Sequence, residues 1–318
     1  MNNSIPVIFV HTGNQDYLKC AIESADKCGN SVHLLGDQTN RYMTSNWYDI
    51  EKLHSELFDQ FKKRYIHMSS NTYEFELMCF KRYFLVYEYV KIINADRFIM
   101  LDSDILTYVN YGEVLTLSEE DCACSWFGNQ SNYKWAACPC VFGSTRAALE
   151  DFLEFLLNAY VDNNILKKLR EKNDNHKMKN IPGGICDMTL LYLWIEQVIN
   201  SNKYKVRNTS IIRNNSVFDH NIQSPDGYEK SEFQYDQILR MKKIVYKDKK
   251  PFFVCKDGKY IQAHTLHFLG GAKTTMRAFY EERGMFNKVR NRYRIRLFSS
   301  PKWSNRGLIK LIKEKERK

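Results

Sequence analysis

Proline and glycine are scarce in this chain of 318 residues, at six and fourteen. That excludes collagen-like and low-complexity organisation and leaves ordinary packed elements as the expectation. Long apolar runs are missing as well. The best of them, Phe98 to Leu101 continued by Ile105 and Leu106 beyond two acids, falls far short of the ~20 residues that a bilayer crossing needs. Met1 to Pro6 carries neither the charged stretch nor the apolar core of an export signal, so the chain is expected to stay where it is made, the cytosol by default. What is present is 44% hydrophobic and 26% charged residues, enough to bury a core without disulfides or structural metals.

Nine cysteines, an odd count without an export signal, read as reduced and mostly buried thiols. Cys122-x-Cys124 and Cys138-x-Cys140 could place thiolates around zinc. Structural zinc sites usually leave two or more residues between paired ligands, however, and these pairs alternate as strand residues do.

The formal charge of +10 is unevenly spread. From Arg277 onward there are fourteen Lys or Arg against four Glu, so the first 276 residues sum to zero. A neutral body with a basic tail argues against a nucleic-acid groove across the fold and for a local anchor at one end. Tyr293, Ile295, Leu297, Phe298, Trp303, Leu308, Ile309, Leu311 and Ile312 are interleaved with those cations, a pattern suited to the interface of an anionic membrane. A solvated helix end or an RNA-binding arm would give a similar composition. The expected organisation is a body over 1–276, with a nucleotide-binding half to about 110 and an acceptor-binding half from about 111, followed by a basic amphipathic extension over 277–318.

Strand signals at Ile5 to Val10, Ser31 to Leu35 and Arg97 to Leu101 alternate with helical signals at Tyr17 to Ala25 and Glu74 to Asn94. This predicts an α/β fold with a mostly parallel central sheet flanked by helices, whose ligands gather beyond the carboxyl ends of the strands, near 11–14, 37 and 102–104. Further on, Cys122 to Phe127 and Trp135 to Phe142 read as strands, the second distorted or at an edge because of Pro139. Helices are expected over about Arg146 to Ala159, entered through Gly143-Ser144-Thr145, and over Asp187 to Ile199. Asn163 to Asn180 reads as a polar, mobile connection. Asn200 to Lys250 reads as short strands and turns such as Pro225-Asp226-Gly227.

Asp102-Ser103-Asp104, directly after a buried strand, is the strongest chemical signal. Two carboxylates one residue apart offer oxygen ligands to Mg²⁺ or Mn²⁺, and such an ion can also bind a diphosphate and neutralise charge on it as it departs. Far downstream, His264-Thr265-Leu266-His267-Phe268-Leu269-Gly270-Gly271-Ala272-Lys273 places an imidazole, a glycine turn and a lysine close together. His267 could complete the metal sphere, Gly270 could let backbone approach an oxyanion, and Lys273 could reach phosphate. A structural histidine before a glycine turn is the alternative.

Taken together, Asp102-x-Asp104 and His267-x-x-Gly270-x-x-Lys273 resemble the family eight glycosyltransferases, retaining enzymes of the GT-A type that include lipopolysaccharide galactosyltransferases. The resemblance runs from about Ile5 to Lys273, dense at these islands and thin between them. It implies that Asp102, Asp104 and His267 hold Mn²⁺ or Mg²⁺, and that Lys273 and the backbone at Gly270 grip a diphosphate. It also implies that Val10, His11, Thr12 and Ser103 meet the nucleotide. Within Lys81-Arg82-Tyr83-Phe84, Arg82 matches the family's sugar-contacting arginine. Asp187 matches an acid that orients donor sugar or acceptor hydroxyl; a helix cap is the other reading of Asp187, and pairing with Glu74, Glu76 or Glu88 the other reading of Arg82. Departures stand at Thr274, where the family commonly has proline, at Ala137-Cys138-Pro139-Cys140 in place of Asn-x-Gly, and at Ile185-Cys186-Asp187 in place of Asp-Gln-Asp.

The resulting expectation is transfer of a sugar from a nucleotide sugar, a UDP-sugar by the resemblance, to a hydroxyl of a glycan or glycolipid, with retention by the resemblance alone. The extension over 283–318 would meet an anionic membrane surface on the inner face, with no nucleic-acid partner. The alternatives are an inverting transferase or a sugar nucleotidyltransferase on the same sheet, or a non-catalytic RNA- or lipid-binding protein that uses the basic tail.

Overall fold

A computed structural model describes residues 5–115, 119–126, 133–224, 232–282 and 291. Phe127, the Pro225-Asp226-Gly227 turn and nearly all of the basic extension lie outside the described residues. The elements follow in the order β1 (Pro6–Val10), α1 (Asp16–Lys27), β2 (Ser31–Gly36), β3 (Trp47–Asp49), α2 (Glu56–Arg64), α3 (Tyr73–Ile92), β4 (Arg97–Leu101), β5 (Ile105–Thr107) and α4 (Tyr111–Val114). Next come β6 (Cys122–Trp126), β7 (Ala137–Thr145), α5 (Arg146–Ala159), α6 (Asn163–Met178), α7 (Asp187–Asn200), β8 (Val206–Asn208) and β9 (Ser216–Phe218). The chain continues through β10 (Tyr235–Asp236), β11 (Met241–Lys242), β12 (Ile244–Lys247), β13 (Lys250–Val254), β14 (Tyr260–His267) and α8 (Lys273–Tyr280).

The main sheet has the order β3-β2-β1-β4-β7-β6-β8. It is parallel from β3 to β4 and between β6 and β8, and antiparallel on both sides of β7. The fold is therefore α/β with a mixed central sheet. Buried strands with alternating faces separate two cores. Ile8 and Met100 face α2, α3, α5 and α7, where Phe61, Phe84, Phe152 and Trp194 pack. Val7, Phe9 and Ile99 face α1, α8 and the second sheet, where Leu18, Phe218, Leu266 and Phe279 pack.

That second sheet, β12-β13-β14-β5, has β9 added alongside β14. It fixes the site, because β5 continues directly from the acids after β4 and pairs with β14, bringing Ile105 opposite His267. A segment from residue 267 thereby returns to the end of a strand that finishes at residue 101.

Pro139 lies inside the sheet, between β4 and β6, and the β6–β7 register breaks between Ala123 and Ser125. A distorted strand thus accommodates the missing donor. The expected mobile connection over 163–180 is a helix, α6. Asp162 caps it by accepting from Asn164 N and Ile165 N, and Leu169, Lys172 and Asn173 are buried along one side. Its apolar stripe is narrow and partly polar, which is why the sequence conceals it.

Candidate active site

The acids, the histidine and the lysine converge at the carboxyl end of β4. One oxygen from each of Asp102 and Asp104 and a ring nitrogen of His267 lie within 4.8 Å of one another. His267 Nε2 is 3.2 Å from Asp104 Oδ1 and 3.9 Å from Asp102 Oδ2. Lys273 Nζ is 3.1 Å from Asp104 Oδ2. Backbone bonds hold this arrangement from both sheets: Asp102 N donates to Cys140 O, and Phe268 N donates to Asp104 O.

His267 has the geometry that a metal ligand would need. Its Nδ1 lies 2.5 Å from the His220 carbonyl, which can only accept, so Nδ1 carries a proton. Nε2 is buried and has no hydrogen-bond partner, although a carboxylate oxygen is close by. A carbonyl that fixes the tautomer and aims the other nitrogen is the usual support of a metal-bound imidazole. Burial favours the neutral ring, but Asp104 and Asp102 outweigh it and push His267 up to about 10. Burial opposes ionisation of Asp104 too, yet the charges of His267 and Lys273 hold it down at about 2. Asp102 moves the other way, raised chiefly by burial and further by Asp104, with Arg82 offsetting part of the rise. A cation taking the Nε2 lone pair would replace its proton. Two carboxylates with one imidazole suit a hard or borderline divalent ion, and Mn²⁺ accepts such a mixed set more readily than Mg²⁺.

Arg82 joins this centre to α7. One guanidinium nitrogen donates to Asp102 Oδ1 at 2.5 Å and the other to Asp187 Oδ2 at 2.6 Å. Of the glutamates considered as its partners, Glu76 accepts from Ser69 and Asn71, and Glu88 pairs with Lys91. Asp187 is the first residue of α7, after Cys186 at the cap position, and no side chain caps that helix. Its carboxylate accepts from Arg82 and Tyr83 instead.

On the other side stands the β1 loop. Val10 ends β1, and His11 Nδ1 lies 2.7 Å from Ser103 Oγ, so this loop touches the acid motif. Thr12 is exposed. Gly13 N donates to Asp37 Oδ2, placing an acceptor at the end of β2 beside His11. Tyr17, which the sequence did not single out, packs its ring edge-on to His11 and lies under the Lys273 ammonium at 4.9 Å. It also lines a cavity of about 600 Å³ with Gly270, Gly271, Lys273, Thr274 and Arg277. Gly270 has φ +56 and nothing within 4 Å of where a Cβ would stand, so its backbone is open to a ligand.

Among the described residues no helix is long and apolar enough to cross a membrane. No protein-family model matches the sequence, and no curated protein matches it. Solved structures do show likeness. Mouse xyloside xylosyltransferase 1 is 12% identical, covering 64% of this chain and 84% of its own, with a TM-score of 0.42. The galactosyltransferase LgtC, in complex with donor and acceptor sugar analogs, is 13% identical over 87% of this chain and 96% of its own, at 0.41. The bifunctional glycosyltransferase WbbM is 12% identical over 94% and 52%, at 0.42. At this distance none of the three assigns a function to this chain.

Proposed function

We propose that this protein is a metal-dependent glycosyltransferase that moves a sugar from a nucleotide diphosphate donor, a UDP-sugar by sequence resemblance, to a hydroxyl of a glycan or glycolipid. The observation carrying this reading is the meeting of Asp102, Asp104 and the buried Nε2 of His267, with Lys273 alongside. A divalent ion held by those three residues would supply Lewis-acid neutralisation of a departing diphosphate. Lys273 and the open backbone at Gly270 would take the outer phosphate oxygens, adding fixed positive charge where negative charge develops. His11, Asp37 and Ser103 lie where the nucleoside would enter. Arg82, tied to both Asp102 and Asp187, would keep the sugar side of the site in register with the metal side, and Asp187 would face the sugar or the acceptor hydroxyl. Retention of the anomeric configuration rests on the resemblance alone, as does the choice of uridine. The basic segment after 282 is proposed as a contact with an anionic membrane surface, which would keep the site beside a two-dimensional pool of lipid-linked acceptor.

The test is donor hydrolysis across UDP-, GDP- and CDP-sugars with Mn²⁺, repeated with Asp104→Ala, alongside thermal unfolding with and without UDP and Mn²⁺. Turnover lost in the folded variant and a UDP shift that requires the ion support the reading. No turnover of any donor together with no shift overturns it.

A further inference from the structure

His267 faces two donor sets. Besides the two carboxylates, the thiols of Cys138 and Cys140 lie with a ring nitrogen of His267 inside the same 4.8 Å limit. Both thiols are buried, at 7% and 1% exposure. They share the core on the face of the main sheet toward β14, whereas Cys122 and Cys124 belong to the core on the opposite face. The four cysteines that the sequence suggests as one zinc set are therefore divided by the sheet. The pair at 138 and 140 lies beside the acid motif, where the Cys140 carbonyl accepts from Asp102 N. With Nδ1 committed to His220, only Nε2 can serve either donor set, and it has no hydrogen-bond partner.

We infer that Cys138, Cys140 and His267 form a second metal position, selective for a thiophilic ion such as Zn²⁺ or Cd²⁺. One lone pair serves one ion, so its occupation excludes an ion from the Asp102–Asp104 position. Thiolate and imidazole donors select soft and borderline ions, while carboxylates with imidazole suit Mn²⁺. Each thiol gives up its proton on ligation, so a thiophilic ion enters with release of protons and no change of oxidation state. The consequence is a metal-controlled inhibitory state: a thiophilic ion would displace the working ion by removing its nitrogen ligand. This does not depend on which reaction the site performs.

The experiment titrates the reduced full-length protein, in buffer free of thiols, with Mn²⁺ followed by its magnetic resonance signal and then with Cd²⁺ followed by thiolate-to-metal charge-transfer absorption. One Cd²⁺ should bind with that absorption and release one Mn²⁺. Cys138→Ala and Cys140→Ala should each abolish the absorption or weaken Cd²⁺ at least about tenfold while retaining Mn²⁺. Asp104→Asn should do the reverse, and His267→Ala should weaken both. Far-ultraviolet circular dichroism checks folding, with Cys→Ser versions as replacements for any variant that misfolds. Absorption that survives in the Cys138→Ala/Cys140→Ala double variant overturns the proposal. So does Cd²⁺ binding that leaves Mn²⁺ in place, or equal dependence of both ions on the acids and the thiols, which would mean one mixed site.

Discussion

Lys242 and Asp219 form an ion pair at 2.7 Å in which both side chains are fully buried, directly behind His267. Asp219 spends its other oxygen on the backbone N–H of His267, and Lys242 lies close to the rings of Phe233 and Phe253. Removing one partner of such a pair leaves a buried charge uncompensated, at a cost of about 3–5 kcal/mol, whereas replacing both by neutral groups costs far less. Lys242→Met should therefore lower the urea midpoint strongly and weaken Mn²⁺ by about 10–100-fold through the loosened His267 backbone. The double change Asp219→Asn/Lys242→Met should recover much of the stability. A single variant as stable as the parent would show that the pair does not support the site.

Arg82 spans Asp102 and Asp187 with two separate nitrogens. A lysine carries the same charge on a single point and cannot bridge both acids in one geometry. Arg82→Lys should retain Mn²⁺ binding within a few-fold yet reduce donor turnover by about 10²–10³, the size of effect seen when one preorganised charge contact is removed. Steady-state donor hydrolysis at saturating Mn²⁺ measures this. Turnover within threefold of the parent would mean that the bridge is structural.

How far the site was legible depended on where its information lies along the chain. The acids and His267 were readable because strand endings and short motifs are local, and their convergence is what the β5–β14 pairing then supplies. Asp37 was readable as a strand ending, and its bond to Gly13 N follows from the parallel β1–β2 pair. Tyr17, Asp219 and Lys242 were not. An aromatic in an amphipathic helix and two isolated charges in a region of short strands and turns carry no pattern until the fold brings them beside His11 and His267. The separation of Cys122 and Cys124 from Cys138 and Cys140 was equally hidden, since it follows from the register break opposite Pro139. Helix α6 was misread because a buried lysine and asparagine interrupt its apolar stripe.

Gly184 straps the loop before α7 to the loop before α3. It has φ +134, and a Cβ there would stand 2.3 Å from the Met68 carbonyl oxygen. Ile185 N donates to that same oxygen at 2.8 Å, so the backbone has little room to retreat. Gly184→Ala should destabilise by at least about 2 kcal/mol, combining the strained backbone with the clash. Gly183→Ala, also at positive φ but with nothing within 4 Å, should cost less. Urea midpoints of the two variants compare them, and an equal or reversed order would show that the close approach to Met68 does not limit this position.

Lys172 on α6 is 3% exposed and donates to the Trp135 carbonyl and to Thr189 Oγ1, both at 2.7 Å. Burial pulls its ammonium down to about 8 from an ordinary 10.5, with the charge of an ionised Cys186 acting in the opposite direction. Below pH 8 both folded and unfolded chains carry the proton, and the native state bears the full penalty of burying it. Between about pH 8 and 10.5 the unfolded chain still holds a proton that the native chain has lost, so stability gains from this residue as pH rises. The gain is at most about 3 kcal/mol, from 1.36 kcal/mol for each unit of difference. Tyrosines and other lysines titrate over the same range, so the measurement is the difference in unfolding free energy between the parent and Lys172→Met across pH 7 to 11. The parent should improve relative to the variant as pH climbs through that window, and a flat difference would mean that the buried ammonium carries no such penalty.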